Sequence, residues 1–408
     1  MESLLRKLSS GDEWHSFLQY RQARNRLSRK ETEDLASFIA QERYLRIVDT
    51  MDFGYPVKKE IAKQGSSRKR IVYSYGEDET WVLKLLTYEL DKYDGKLPEC
   101  CWAFRRNRTS AKVFERIRSI PDPDRKYVLK LDIHDYFNSI DVELLIEELE
   151  KVIDDDPELL AFLCRLLRQH RCITDDGIIE EARGAMAGVP LAGFFANVYL
   201  RDLDALYESP DIPYFRYSDD IIVFCASLEE LRDQEARILQ ILTEKHLTLN
   251  QDKYRISMPG EPWEYLGFRY AKGKTDLSRA SVDKMKARIR RKARRLWMRR
   301  KEKGMSYDET AVSLIRSMDR KFYDLTGNGD YTWTGYCFPV IDCTDGLQEI
   351  DHCMVQYLRY LYSGRHYKGN YRISYEHLKK LGYTPLTAEY YRWKEENRML
   401  DRLPEESE

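Results

Sequence analysis

The stretch YFRYSDDIIVF, residues 214 to 224, sets two adjacent carboxylates, Asp219 and Asp220, between runs that read as interior strands. A third acid of the same kind, Asp132, ends the apolar run YVLKLDI. Alternation with period two puts Leu129, Leu131 and Ile133 on one face of that run and Val128, Lys130 and Asp132 on the other. An acid at the end of a buried strand is costly unless it is paired or holds a metal. Read alone, Asp132 serves equally as the cap of a following helix. Tight hairpins prefer Asn-Gly or Asp-Gly at the turn, so Ser-Asp-Asp is a poor choice on geometry, and a broken local rule often marks function. Three carboxylates gathered without cations would raise one another's pKa. Around Mg²⁺, with Mn²⁺ as an alternative, the arrangement makes sense, because a hard ion takes a few carboxylates, its own waters and substrate phosphates. Two such ions roughly 3.5 to 4 Å apart activate a 3′-hydroxyl and stabilise a leaving pyrophosphate. The implied chemistry is nucleotidyl transfer.

The elements that must position these acids are short and distinct. KRIVYSY (69 to 75), YVLKLDI (127 to 133), FRYSDDIIVF and WEYLGFRY (263 to 270) are rich in β-branched and aromatic residues, with long helical patterns between them. That mixture predicts an α/β or α+β fold. Residues 1 to about 50 read as helical, with Leu4, Leu5, Leu8, Trp14 and Phe17 recurring periodically, then Leu35, Phe38 and Ile39. After about residue 276 strand signals nearly vanish, and the best single boundary lies near 275.

The chain has 408 residues, of which 42% are hydrophobic and 34% charged, with a net charge of only −1. Any polyanion-binding surface must therefore come from segregation of charge. From Lys284 to Lys303, KMKARIRRKARRLWMRRKEK carries twelve Lys or Arg against the single acid Glu302. The acidic run DVELLIEELEKVIDDDPELL, 141 to 160, reads as a solvated helix face, and the chain ends in the acidic LPEESE. Eight cysteines show no Cys-x-x-Cys pair and no His spacing for zinc, so free thiols in a reducing cytoplasm are expected. No stretch approaches the roughly 18 apolar residues of a membrane span, and none has the form of a signal peptide. The expectation is a soluble intracellular protein.

The order of these segments resembles the reverse transcriptases, over roughly residues 60 to 270. LDIHDYFNSID is similar to the family's first palm motif, which implies Asp132 as a metal ligand and Phe137 as the steric gate that disfavours a 2′-hydroxyl. GAMAGVPLAGFFANVYL resembles the next motif, where Pro190 suits a first helical turn and Gly188 allows close backbone approach beside the nucleotide. Relatives carry Gln and Ser where this chain has Ala187 and Ala192. For Phe194, Phe195 and Val198 core packing is the better reading. YSDD resembles the metal-binding hairpin, with Asp219 the direct ligand and Asp220 its neighbour. LTLNQDKYRI resembles the motif whose lysine, here Lys253, protonates pyrophosphate. YLGF resembles the primer grip, implying Tyr265 and Gly267 near the primer end.

Upstream, RKRIVY and CWAFRRNRTSAKVF look like fingers motifs that hold the triphosphate and template. Arg105 fits best, since a guanidinium fork matches phosphate oxygens, and Lys69, Arg70 and Arg108 are further candidates. The basic run falls where the thumb follows the primer grip. Arg288, Arg291, Lys292 and Arg295 lie at helical spacing to hold phosphate backbones, while Ile289, Leu296 and Trp297 pack inward. The resemblance thus implies an α+β right-hand polymerase: an N-terminal helical region at 1–60, fingers and palm at 61–275 with an antiparallel sheet, and a basic helical thumb and C-terminal region at 276–408. The tail is most similar to bacterial enzymes related to retron and group II intron reverse transcriptases, in particular the compact defence-associated group.

The implied function is RNA-directed DNA synthesis on a structured non-coding RNA template, from dNTPs, in the bacterial cytoplasm and in anti-phage defence. One alternative is a template-independent or protein-primed DNA polymerase of the abortive-infection type. Another is an intron-maturase-like RNA-binding protein in which the basic helix matters and polymerisation does not.

Overall fold

A computed structural model describes residues 2–23, 27–62, 69–182, 184–209, 211–323 and 332–400. The acidic end LPEESE lies outside the described residues. Two compact units divide the chain at Met1–Glu261 and Pro262–Glu408. The division falls before WEYLGFRY, so these strands cluster with the helical C-terminal unit, ahead of the boundary expected near 275.

In the first unit a hairpin of β1 (Val57–Ala62) and β2 (Lys69–Ser74) is extended through β4 (Arg171–Thr174) and β5 (Gly177–Glu180), in the order β2-β1-β4-β5. The other sheet joins β3 (Tyr127–Asp132), β6 (Tyr214–Tyr217), β7 (Asp220–Cys225) and β8 (Arg255–Ser257), in the order β6-β7-β3-β8. All its pairings are antiparallel, and β3 and β7 lie side by side at its centre. Their run of Leu129, Leu131, Ile221, Ile222 and Val223 is fully buried, as central strands covered on both faces require. The helix Leu228–Glu244 packs on β3 and β7.

One buried apolar cluster runs from Leu4 to Leu247. The N-terminal helices belong to it: Trp14 stacks on Tyr44 and meets Phe38 edge-on, and the backbone of Leu4 donates to Asp156 at 2.7 Å. Residues 1–60 therefore share the core of the unit that follows. The acidic helix Val142–Val152 is capped by Asp141 and buries Leu145, Ile146, Leu149 and Val152. It is amphipathic rather than a fully solvated face, for Glu148 is itself buried and meets Lys245 at 3.4 Å.

The second unit holds β9 (Trp263–Tyr265), β10 (Phe268–Ala271) and β11 (Lys274–Leu277), in the order β11-β10-β9. The basic run forms the helix Arg279–Lys303, capped by Ser278 and stopped at Gly304, whose φ of 65° suits glycine. Its buried positions Val282, Met285, Ile289, Ala293 and Leu296 recur every three or four residues, forming one apolar seam. The helix packs on the helices Asp345–Ser363 and Tyr307–Phe322.

Candidate active site

Strand register brings the acids together. Asp132 is the cross-strand partner of Asp220 in the β3–β7 ladder, and Asp219 occupies the two-residue turn between β6 and β7, where Tyr217 pairs with Asp220. The backbone N–H of Ile133 donates to the Asp219 carbonyl at 3.0 Å, tying the turn to the end of β3. Asp132 is only 2% exposed. One of its oxygens accepts from the Asn250 side chain at 3.0 Å, and the other receives the Lys253 ammonium. Lys130, two residues back on the same face, stands 4.0 Å from Asp220.

These cations do not balance the site. Burial, then the charge of Asp132, pushes the Asp219 carboxyl above the usual carboxylate range. Burial pushes Asp220 up to about 6, against the pull of Lys130 and with help from Asp219 and Asp132. Burial opposes the charge on Lys253, yet its hydrogen bond and charge contact with Asp132 hold its pKa above the ordinary lysine value. Carboxylates kept short of cations in this way suit a site for hard divalent ions. Among the described residues, no three acidic, His or Cys side chains stand in ready ligating positions; Lys253 and Asn250 occupy both oxygens of Asp132.

The turn is anchored by a group that a reading of the sequence missed. Arg216, between Phe215 and Tyr217, is fully buried with Asp204, both side chains being 0% exposed. Its Nε donates to Asp204 at 2.8 Å, and Nη1 donates to the Ser218 carbonyl at 3.2 Å. An arginine amid apolar strand residues calls for a buried acid, but nothing local points to Asp204. Asn250 is a second such residue, visible only as a polar side chain near Lys253. Ser218 takes a φ of 63°, a left-handed conformation that favours glycine.

Around the acids, the Gly-Pro loop lies against the first palm motif. Ala185 N–H donates to the Phe137 carbonyl at 2.8 Å. At Gly188, with a φ of 100°, an added Cβ would meet the Tyr73 carbonyl at 2.9 Å. The close approach this glycine permits is thus to β2. Pro190 leads into the helix Ala192–Tyr199, where Phe195 and Val198 are fully buried and Phe194 nearly so. Phe137 is half-buried beneath the Arg70 guanidinium, 6.0 Å from its ring centroid. The charge of Arg70 also acts on Asp219.

The fold gives the remaining candidates partners or burial of their own. Arg105, expected at a triphosphate, is instead held inside the protein: its side chain is 2% exposed and donates to Asp94 at 2.6 Å and to the Pro98 and Cys101 carbonyls. Lys69 pairs across its hairpin with Glu60 at 2.5 Å, and Arg108 pairs with Glu99 at 2.7 Å. Of these basic candidates, Arg70 is one whose charge acts on Asp219. In the second unit Tyr265 is 0% exposed, so its ring is core and cannot touch a primer. Gly267 stays exposed, in a turn with Leu266 where both have positive φ, 82° and 49°. Arg291 and Arg295 are exposed on the basic helix, while Arg288 and Lys292 are half-buried. Trp297 lies against Gly364, where a Cβ would meet its ring at 2.0 Å.

Among the described residues no helix is long and apolar enough to cross a membrane. No curated protein matches the chain in sequence. Among solved structures, an apo telomerase from Candida tropicalis, truncated from its C-terminal domain, aligns at 15% identity over 55% of this chain and 55% of its own, with a TM-score of 0.43. A telomerase from Candida albicans in complex with a TWJ fragment of telomeric RNA aligns at 15% identity over 81% of this chain and 65% of its own, with a TM-score of 0.42. An RdRp complex aligns at 14% identity over 62% and 26%, with a TM-score of 0.44. The chain spans 65% or less of the length of each of these proteins. Residues 82–270 match the family model described as reverse transcriptase (RNA-dependent DNA polymerase). That segment, similar to the family over 82–270, contains Asp132, Asp219, Asp220, Asn250 and Lys253.

Proposed function

We propose that this protein copies a structured non-coding RNA into DNA from dNTPs, with divalent metal at Asp132, Asp219 and Asp220. The observation that carries the reading is the pairing of Asp132 with Asp220 across β3 and β7, with Asp219 in the adjoining turn. Magnesium held there would supply charge neutralisation and an acidified 3′-hydroxyl. The chain's own residues do the rest. Phe137, half-buried under Arg70, presents an aromatic edge against a 2′-hydroxyl. Arg70 offers its guanidinium to a triphosphate. Lys253, charged and beside Asp132, is placed to give its proton to the leaving pyrophosphate. Arg291 and Arg295 supply exposed cations for a phosphate backbone, with an affinity that falls steeply with salt.

The resemblance of the helical C-terminal segment to compact defence-associated enzymes supports a role in bacterial anti-phage defence. The test is DNA synthesis by purified protein with Mg²⁺, dNTPs and its co-purifying RNA. The expected result is DNA that disappears after ribonuclease pretreatment and in an Asp219→Ala, Asp220→Ala variant. No DNA from the native protein, with unchanged cellular behaviour of the variant, would sink the reading. Product that stays attached to protein after denaturation would instead indicate priming from a side-chain hydroxyl.

A further inference from the structure

Phe104 stands as an anomaly on the wall of a cleft of about 590 Å³ within the first unit. It is 59% exposed although it is a large hydrophobic, and its backbone has a φ of 60°. A bulky residue in that region is strained, and such strain persists only where the surroundings over-determine it. Both neighbours are locked. The Asn197 side chain, 1% exposed, donates to the Ala103 carbonyl at 2.7 Å. On the other side the Arg105 guanidinium is held by Asp94 and by the Pro98 and Cys101 carbonyls. Gly193 then leaves room for the ring, since a Cβ there would meet Phe104 Cγ at 2.6 Å.

The group that this ring meets is Phe137, edge-on, with centroids 5.9 Å apart. The backbone of Phe137 is clamped. Its carbonyl accepts from the Ala185 N–H at 2.8 Å, and a Cβ on Gly184 would collide with that same carbonyl. The next side chain, Asn138, donates to the Ile71 carbonyl and accepts from the Ala187 N–H, each at 3.3 Å. The ring is another matter, because Phe137 is only half-buried and a side chain turns about its own bonds unless its neighbours stop it. Tyr136, from the same short helix, packs at 5.8 Å, and the Arg70 guanidinium lies over the ring at 6.0 Å. In the polymerase reading that guanidinium is drawn to a triphosphate. Phe104 is an aromatic neighbour that a distant segment brings to the gate and that the fold itself holds rigid.

A ring excludes a 2′-hydroxyl only as firmly as it resists being pushed aside, since a clash is relieved by whichever motion costs least. An edge-to-face aromatic pair adds up to about tenfold to that resistance. We propose that Phe104 is a positioning residue for sugar selection, its strained and exposed ring holding Phe137 in the orientation that turns ribonucleotides away. Phe104 acts through Phe137 and needs no contact with the nucleotide. The inference rests on the polymerase reading and adds a specificity determinant to it.

The test is single-nucleotide incorporation by purified protein with Mg²⁺ on an RNA template carrying a DNA primer. It reads the ratio of kcat/KM for dCTP to kcat/KM for CTP opposite a template guanine. A general loss of activity or folding cancels in that ratio, so a merely structural role would not move it. Phe137→Ala should lower it by about a hundredfold, and Phe104→Ala by about fivefold. The double variant should match Phe137→Ala within about twofold, because the ring through which Phe104 acts is already gone. Phe104→Tyr keeps the ring edge and should retain the native ratio. Gly193→Ala suits a helix but displaces the Phe104 ring, and should lower the ratio as Phe104→Ala does. Thermal melts should show each variant folded. An unchanged ratio in Phe104→Ala, or losses that add in the double variant, overturns the proposal and leaves the polymerase reading standing. An unchanged ratio in Phe137→Ala places the gate elsewhere and overturns it too. Incorporation of neither nucleotide by the native protein removes the polymerase reading, and the proposal with it.

Discussion

The β6–β7 hairpin buries charge twice, within a few residues, and in opposite ways. At its base Arg216 and Asp204 are both 0% exposed and matched to each other. Tyr214 adds a hydroxyl to Asp204 at 3.0 Å, and Arg216 also reaches the Ser218 carbonyl and Cys101 Sγ. At its tip Asp219 and Asp220 lie beside Asp132, with Lys253, Lys130, Asn250 and the charge of Arg70 in partial compensation. The matched pair costs its desolvation and returns a rigid turn. The mismatched acids are held short of cations, which is how binding and catalytic sites differ from structural ion pairs. The base makes the geometry that the tip uses.

Substitutions can separate the two. Asp219→Asn should reduce DNA synthesis by at least about a thousandfold, or about 4 kcal/mol of transition-state stabilisation. It should leave the melting temperature of the metal-free protein unchanged or higher, because a buried charge beside Asp132 is removed. A large loss of stability would show that the tip is structural after all. Arg216→Met should do the opposite and cost about 3–5 kcal/mol in urea unfolding, leaving Asp204 buried and unpaired. A well-folded Arg216→Met protein would erase the contrast.

Metal binding should follow the protonation of the tip. Since Asp220 is pushed up to about 6, Mg²⁺ must displace protons in acid. At a hundredfold excess over Kd it should stabilise the protein by about 2.7 kcal/mol near pH 8. That gain should fade as the pH drops through about 6. Without metal the sign reverses. Asp220 holds its proton more tightly folded than unfolded, so its contribution to stability is lost as the pH rises from about 4 to about 6. Melting curves with Mg²⁺ and with EDTA across this range check both. The smallest effect is expected at Ser218, whose φ of 63° and buried hydroxyl, without a hydrogen-bond partner among the described residues, make Ser218→Gly stabilising by about 1 kcal/mol in the same unfolding assay. A destabilised variant would mean that the hydroxyl has a role in the turn.

Local chemistry was enough to single out the acids, the lysine motif and the basic helix. Alternation placed Lys130 and Asp132 on one face of a strand, and register then set Asp132 opposite Asp220. Spacing of three and four marked Ile289 and Leu296 as the buried seam of the basic helix. Side-chain partners were not legible in this way. Arg70 and Arg105 are both arginines in basic fingers segments, and only the fold shows Arg105 bound to Asp94 and Arg70 over Phe137. Tyr265 and Phe104 are both aromatic; one is core, the other stands exposed in a cleft. Glu148 looked solvated until packing set Lys245 against it. The sequence by itself determined which residues face the same way along a strand or helix, because that periodicity is built into the backbone. Only the tertiary structure decided which charges meet and how deeply they are buried, because burial and pairing arise between segments far apart in the chain.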